Sequence, residues 1–255
     1  MIQRLLLSLL FSVFLAVVSP AHAVFIGDSS GNLYDLDVAT NTSTNLGNSG
    51  VGAMFDIALD PTTNLLYGVT GGGSLYSINQ TNGAASLVGA TGAFINGLTF
   101  DSSGTLFGSG GNSLFTVDLG TGSASVVGST GFNSSGDISF DSNGNLFLSA
   151  SGGMDGVDRL VSLDTTTGAG SLIGDIGFSS VYGLNFGGST LYGFTLYGQT
   201  ISIDTSTGAG TYLATNAIRA NGADGVGGVA VPEPASIALL GLGLVGLGFS
   251  QRKKA

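Results

Sequence analysis

The sequence predicts an all-β fold, and three observations predict it. The first is self-similarity: "DIALDPTTNLLYGV", "GLTFDSSGTLFGSG", "DISFDSNGNLFLSA" and "GLNFGGSTLYGFTL" line up. The second is a shared pattern that follows each of them: "LYSINQTNGAASLVG", "LFTVDLGTGSASVVG", "LVSLDTTTGAGSLIG" and "ISIDTSTGAGTYLA". The third is alternation of apolar with small or polar residues at period two, which marks strands that bury one face. Units recur about every 40 to 46 residues, the range of propeller blades made of four short strands. The expected architecture is a β-propeller of about five four-stranded blades, closed by strands from both termini and followed by a C-terminal hydrophobic helix.

Taken in order, the chain opens with Arg4 and the apolar run from Leu5 to Val18, and "SPAHA" ends in Ala-x-Ala. That is the pattern of a secretory signal over residues 1–23, with Ala21 and Ala23 at the cut. The body, residues 24–231, begins with "VFIGDSSGNLYDLDVATNTSTNLG", which has the second, third and fourth strands of a unit and lacks the first. The next unit shows all four: 56–59, a turn over 60–64, then 65–69, 75–79 and 85–88. "DSSG", "DSNG", "TNG" and "TTG" supply turns, where Asp caps the backbone and Gly takes positive φ. "GVGGVAV", residues 225–231, reads as a lone first strand that completes the opening unit. Closure by both termini removes exposed sheet edges.

Composition prunes the chemistry. The 255 residues include no Cys and no Trp, and the one histidine, His22, leaves with the signal. Without disulfides, stability must come from the core. Sixteen acidic residues, all Asp except Glu233, face only Arg159 and Arg219 between Val24 and Pro234. Nucleic acid and anionic lipid are excluded as partners of this body, because phosphates need Lys and Arg. The missing residue types also exclude a Cys nucleophile, a His-bound zinc or iron and a Lys Schiff base. Oxygen chemistry remains: paired Asp for glycoside cleavage, or clustered Asp for Ca²⁺. Two literal motifs fail. "GLGLVG" is a G-x-G-x-x-G with no βαβ unit around it. "GDSSG", Gly27 to Gly31, is a G-x-S-x-G whose Ser29 has no base, and it sits at a turn position.

The end of the chain has a different character. "VPEPAS" leads into "IALLGLGLVGLGF" and then "SQRKKA". The apolar run is about 20 Å long as a helix, short for a full bilayer core, and Ala235, Ser236 and Ser250 extend it. Arg252, Lys253 and Lys254 then belong on the cytoplasmic side and the body on the other. Pro232, Glu233 and Pro234, the Gly-rich apolar helix and the terminal basic cluster together resemble a PEP-CTERM sorting segment, here residues 232–255. The resemblance implies processing by an exosortase, a membrane transpeptidase that cuts at or near Pro-Glu-Pro. It also implies a Gram-negative host that makes exopolysaccharide.

Candidate sites lie in the body. Aligning the first strands puts Asp56 and Asp137 where the other units have Gly97, Gly183 and Gly228. That strand lines the central channel of a propeller, so two carboxylates converge near one mouth. They serve there either as a Ca²⁺ or ligand site, or as caps of their own loops. The inserted loop "SGGMDGVDRL" carries Asp155, Asp158 and Arg159, either a rim site or a solvated ion pair. Tyr182, Tyr192, Phe194 and Tyr197 form either an aromatic platform for sugars or core packing. The chain thus reads as an exported, exosortase-sorted surface protein without catalytic residues or a required cofactor. Its expected role is structural or adhesive in an exopolysaccharide matrix or biofilm. The alternatives are an Asp-based glycan hydrolase or lyase, and a scaffold for another surface protein.

Overall fold

The structure, a computed structural model, describes residues 23–225. The signal segment through His22 and the tail from residue 226, with its expected helix and all its sorting residues, lie outside the described residues. Five four-stranded antiparallel sheets make the blades of a propeller. Blade 1 joins β1 (Ala23–Asp28), β2 (Asn32–Asp37) and β3 (Thr42–Asn48) to β20 (Ala220–Gly225) from the other end of the body. Blade 2 is β4 (Met54–Leu59), β5 (Leu66–Thr70), β6 (Ser74–Ile78) and β7 (Ala85–Ala90). Blade 3 is β8 (Gly97–Phe100), β9 (Leu106–Gly110), β10 (Ser113–Val117) and β11 (Ala124–Ser129). Blade 4 is β12 (Ser134–Phe140), β13 (Leu146–Ala150), β14 (Arg159–Leu163) and β15 (Gly170–Asp175). Blade 5 is β16 (Val181–Gly187), β17 (Thr190–Thr195), β18 (Gln199–Ile203) and β19 (Gly210–Thr215).

One expectation is corrected. The strand that closes blade 1 is β20, Ala220–Gly225, and not the run 225–231; it pairs with β1, Ile26 lying opposite Ala223. "ANGADG" has no β-branched or large apolar residue, so it lacks the strand pattern. It is a strand because it pairs with β1 and lies between the inner strands β4 and β16. Gly222, not Gly228, therefore stands at the position of Asp56 and Asp137.

The hydrophobic core lies between blades. Each of five buried clusters joins neighbours: Val69 and Leu75 of blade 2 pack with Leu98 and Leu106 of blade 3, and Phe194 of blade 5 packs with Val24 and Ile26 of blade 1. Three seams add an aromatic pair in the same place: Tyr67–Phe100, Phe107–Phe140 and Phe147–Phe186, with centroids 5.5 to 5.7 Å apart. In every blade a β-bulge interrupts the pairing of the third and outermost strands, as between Leu75 and Tyr76 or between Leu114 and Phe115. The bulge turns an extra residue toward the core, such as Val88 or Val127, and it breaks the regularity of an exposed edge.

A second seam runs around the outside. The turn glycines Gly83, Gly122, Gly168 and Gly208 have φ of 73° to 82°. Each lies against a glycine of the preceding blade's outermost strand: Gly47, Gly89, Gly128 and Gly174. A Cβ added at any of the four turn glycines would meet that backbone at 2.7 to 2.8 Å. Beside each contact a backbone hydrogen bond crosses the seam, as from Ala124 N–H to Thr91 O (2.9 Å) and from Gly210 N–H to Ile176 O (2.8 Å). The seam between blades 5 and 1 differs. Ala214 replaces the strand glycine, and Asn41, at φ 53°, takes the turn position and donates its Nδ2 to Thr215 O (3.1 Å).

The seam gives a matched pair of substitutions. Gly168 and Gly177 share a left-handed backbone, φ 77° and 80°, but a Cβ at Gly177 meets nothing within 4 Å. Gly177→Ala is expected to cost about 1–2 kcal/mol of backbone strain. Gly168→Ala should cost about 1–3 kcal/mol more by forcing the blades apart. Equal losses in chemical denaturation would mean that the seam is not close-packed.

Candidate functional site

The five inner strands, β20, β4, β8, β12 and β16, stand side by side around the axis. At the same height each presents Gly222, Asp56, Gly97, Asp137 or Gly183. Three of these are glycine because there is no space for more. A Cβ on Gly222 would sit 2.4 Å from the Asp56 Cα, one on Gly97 2.7 Å from Gly136 O, and one on Gly183 2.7 Å from the Ala223 Cβ.

Asp56 and Asp137 are completely buried, and each carboxyl links two blades. Asp56 accepts the N–H of Ile57 in its own strand (2.8 Å) and that of Leu98 in blade 3. Asp137 accepts from Ile138 in its own strand (2.6 Å) and from Leu184 in blade 5 (2.6 Å). The two carboxyls lie close enough for the charge of Asp137 to act on Asp56. Convergence, expected from the alignment, is therefore present, and each carboxyl crosses to the next blade rather than only capping its own. Burial and then the Asp137 charge push Asp56 well above the usual carboxylate range, and burial does the same to Asp137. One proton at least is shared between them, since two adjacent carboxylates cannot both ionise in a dry site.

A third carboxyl was not legible in the sequence. Asp224, on β20, accepts the N–H of Leu59 in blade 2 (2.9 Å) and that of Gly225 (2.8 Å). Burial raises it to about 7. It faces the hollow at one end of the channel, a space of about 460 Å³ that Thr99, Ser139, Asn185 and Phe186 also line.

The opposite mouth is narrower. There Phe55, Asn96, Gly136, Tyr182 and Asn221 each lie one residue before the axial position of their blade. With Phe94 and Ser135 they enclose a cavity of about 220 Å³. Phe94 is 54% exposed and meets Phe55 edge-on at 5.9 Å. The Asn96 Oδ1 is buried without a hydrogen-bond partner. Sequence reasoning missed Asn96, Asn221, Phe55 and Phe94, because nothing in their spacing separates a channel mouth from a loop.

The inserted loop divides in function. Asp155, in a short 3₁₀ turn (Gly153–Asp155), pairs with Arg159 at 2.9 Å, and Asp175 pairs with it at 3.1 Å. Asp158 is not Arg159's partner. It turns inward, 5% exposed, and accepts from Ser135 Oγ (2.9 Å) and from Val181 N–H in blade 5 (2.7 Å). It thus positions Ser135 at the mouth. The aromatic residues of blade 5 separate: Tyr182 lines the mouth, Phe194 is core, Tyr192 packs on that core, and Tyr197 is exposed. The "GDSSG" turn is a cap, with Asp28 accepting from Ser30 and Asn32 N–H (both 2.8 Å). For Ca²⁺, Asp56, Asp137 and Asp158 already have backbone or hydroxyl partners, and Asp155 has Arg159. Among the described residues no three acidic or histidine ligands gather.

Comparison with known proteins adds the C-terminal end of the chain to this picture. Residues 230–253 match the PEP-CTERM protein-sorting motif. The chain carries a PEP-CTERM sorting motif. The motif implies processing by an exosortase and delivery to the surface or beyond, and it makes the propeller the cargo. No curated protein matches the sequence. A chain in the crystal structure of a nidogen/laminin complex is similar over 80% of this chain and 85% of its own, at TM-score 0.53 and 15% identity. At that identity the likeness shows the propeller fold alone.

Two expectations follow from the site. The axial carboxyls stay protonated in the folded chain while the unfolded chain ionises them near pH 4. The folded state then binds more protons, so stability falls as pH rises through that window toward 7, the value of Asp224. Hydrogen bonds from the Thr121 hydroxyl, the Thr167 N–H and the Ser206 hydroxyl hold the turn aspartates Asp118, Asp164 and Asp204 below the usual value, which costs stability only at lower pH. The Tm should thus be highest in mild acid and fall toward pH 8, and Asp224→Asn should flatten the fall. A Tm that rises from pH 5 to 8 would contradict this. The second expectation concerns metal: Ca²⁺ and a chelator should give the same Tm, whereas a rise of several degrees with Ca²⁺ would reveal a tight site.

Proposed function

We propose that the chain is a non-catalytic structural or adhesive component of an exopolysaccharide matrix, exported through a cleaved signal and held by its tail helix until an exosortase acts. One observation carries this reading: a sorting motif at residues 230–253 begins just beyond a closed propeller that ends at Gly225. Whatever the protein does, it does as a ring delivered outside the cell. The charge supports the same partner. A body this acidic repels polyanions and suits a neutral glycan.

The reading of the chain as non-catalytic rests on how the paired axial carboxyls are used. Glycosidase carboxyls stand roughly 5 Å or more apart with the sugar between them. Asp56 and Asp137 are completely buried and together accept four backbone N–H groups. A pair so occupied serves the ring rather than a substrate.

The test is the intact mass of the protein recovered from its host, with the cell fraction recorded. The expected product has lost residues 1–23 and the tail near Pro232–Pro234, and is found at the surface or in the matrix. A mass that retains residues 237–255 would place the ring at the membrane and remove the matrix role. Incubated with the host polysaccharide, the protein should leave its chain length unchanged. Shortening that stops in Asp56→Asn/Asp137→Asn would instead establish the hydrolase.

A further inference from the structure

We infer that the narrow mouth of the channel is a binding site for a single neutral sugar ring, held by Phe94, Phe55 and Tyr182 and by the side chains of Asn96, Asn221 and Ser135. The inference rests on the matrix reading for its partner, but its observations are independent of it.

The cavity has the composition of a sugar site. Its lining is three aromatic rings, two amides, a hydroxyl and a glycine, with no formal charge. A pyranose offers an apolar C–H face to a ring and hydroxyls to amides, and this lining offers the complement of both. Phe94 is 54% exposed rather than filling a core, and it meets Phe55 with the two rings steeply inclined. The volume, about 220 Å³, is below the roughly 300–1,000 Å³ of drug-sized sites, so it admits one ring and not a chain. Phe94 also bounds a shallow cleft along Gly71–Gly73 and Gly92, which gives a glycan chain a way out over the rim.

The decisive observation is Asn96. Its Oδ1 is shut off from solvent and accepts nothing, although buried polar atoms in folded proteins are nearly all paired. Because that oxygen has no exposed surface, a ligand hydroxyl reaches it only when the Asn96 amide, part of the cavity lining, turns toward the ligand; donation there then removes the deficit. Ser135 is held in place from behind by Asp158, as a preset contact requires. The ligand is neutral on the same evidence. No carboxyl lines the cavity, and Asp56 and Asp137, one residue further along their strands, are completely buried and satisfied by backbone, so no free carboxylate calls for a cation, and the acidic body disfavours an anion.

The test titrates the full chain, in a detergent without a sugar headgroup, with glucose, galactose, mannose, N-acetylglucosamine, glucuronate and choline. The host polysaccharide is examined alongside. Expected is saturable binding of at least one neutral sugar at one site per chain. Asn96→Ala and Phe94→Ala should each weaken it tenfold or more, and Tyr197→Ala, at the exposed aromatic of blade 5, should leave it unchanged. Asn96→Ala should not lower the Tm, because it removes an atom that bonds to nothing in the free protein; loss of binding with the Tm kept marks a site and not a fold defect. If the polysaccharide binds wild type and both variants equally, the axial site is wrong and the matrix reading stands. If neither sugars nor polysaccharide bind wild type, both fall. Preference for choline or glucuronate overturns the neutral ligand.

Discussion

Five strands have to share one axis that is too narrow for five side chains, and most of this molecule follows from that crowding. Glycine answers it at Gly97, Gly183 and Gly222, where a Cβ would strike a neighbouring strand. At the two other places a carboxyl fills the space and uses it, reaching across to the next blade's backbone. A charged carboxylate there would lose its hydration with no cation to repay it. The pair therefore holds at least one proton, and each acid acts as a short clip between blades. Asp224 does the same lower down. Each clip ties a blade to the next blade, so the ring is held at its hub by bonds between sheets as well as by apolar packing between them.

The outer circumference repeats the logic with backbone alone. Glycine against glycine at four seams brings sheets within hydrogen-bond reach of each other. The 45 glycines are thus not a sign of looseness. Those at the axis and the seams mark where blades touch, and a blade cannot slide past a neighbour that it grips at hub and rim. Rigidity of this kind suits a chain with no disulfides.

Much of this was legible because repetition exposes position. Asp56 and Asp137 stood out as aspartates in a column of glycines, and their meeting at the axis followed. The blades, their turns and closure by both termini were likewise visible in the repeated strand and turn patterns. What remained hidden lacked a pattern. "ANGADG" is a strand by location and not by propensity, so Asp224 went unseen. Asp158 stood next to Arg159 in sequence, yet Arg159 has two other partners and Asp158 faces inward. The glycine of "LVGA", "VVGS" and "LIGD" recurs as well, yet the seam stayed hidden, because its partner in the turn was already explained as turn chemistry. Asn96 had no signal at all, since an oxygen without a partner is a fact of three dimensions.

The closing strand has a mechanical meaning. β20 is the last described strand, and only residues 226–229 separate it from the sorting motif. Any pull through the tail enters the ring at Gly225, which lies opposite Val24 at the end of the β1 ladder. β20 is held by the ladder to β1, the Asp224 clip to Leu59 and the contact of Gly222 with Asp56, so such a pull meets all three. The strand that closes the ring is also the one that leads to its sorting motif.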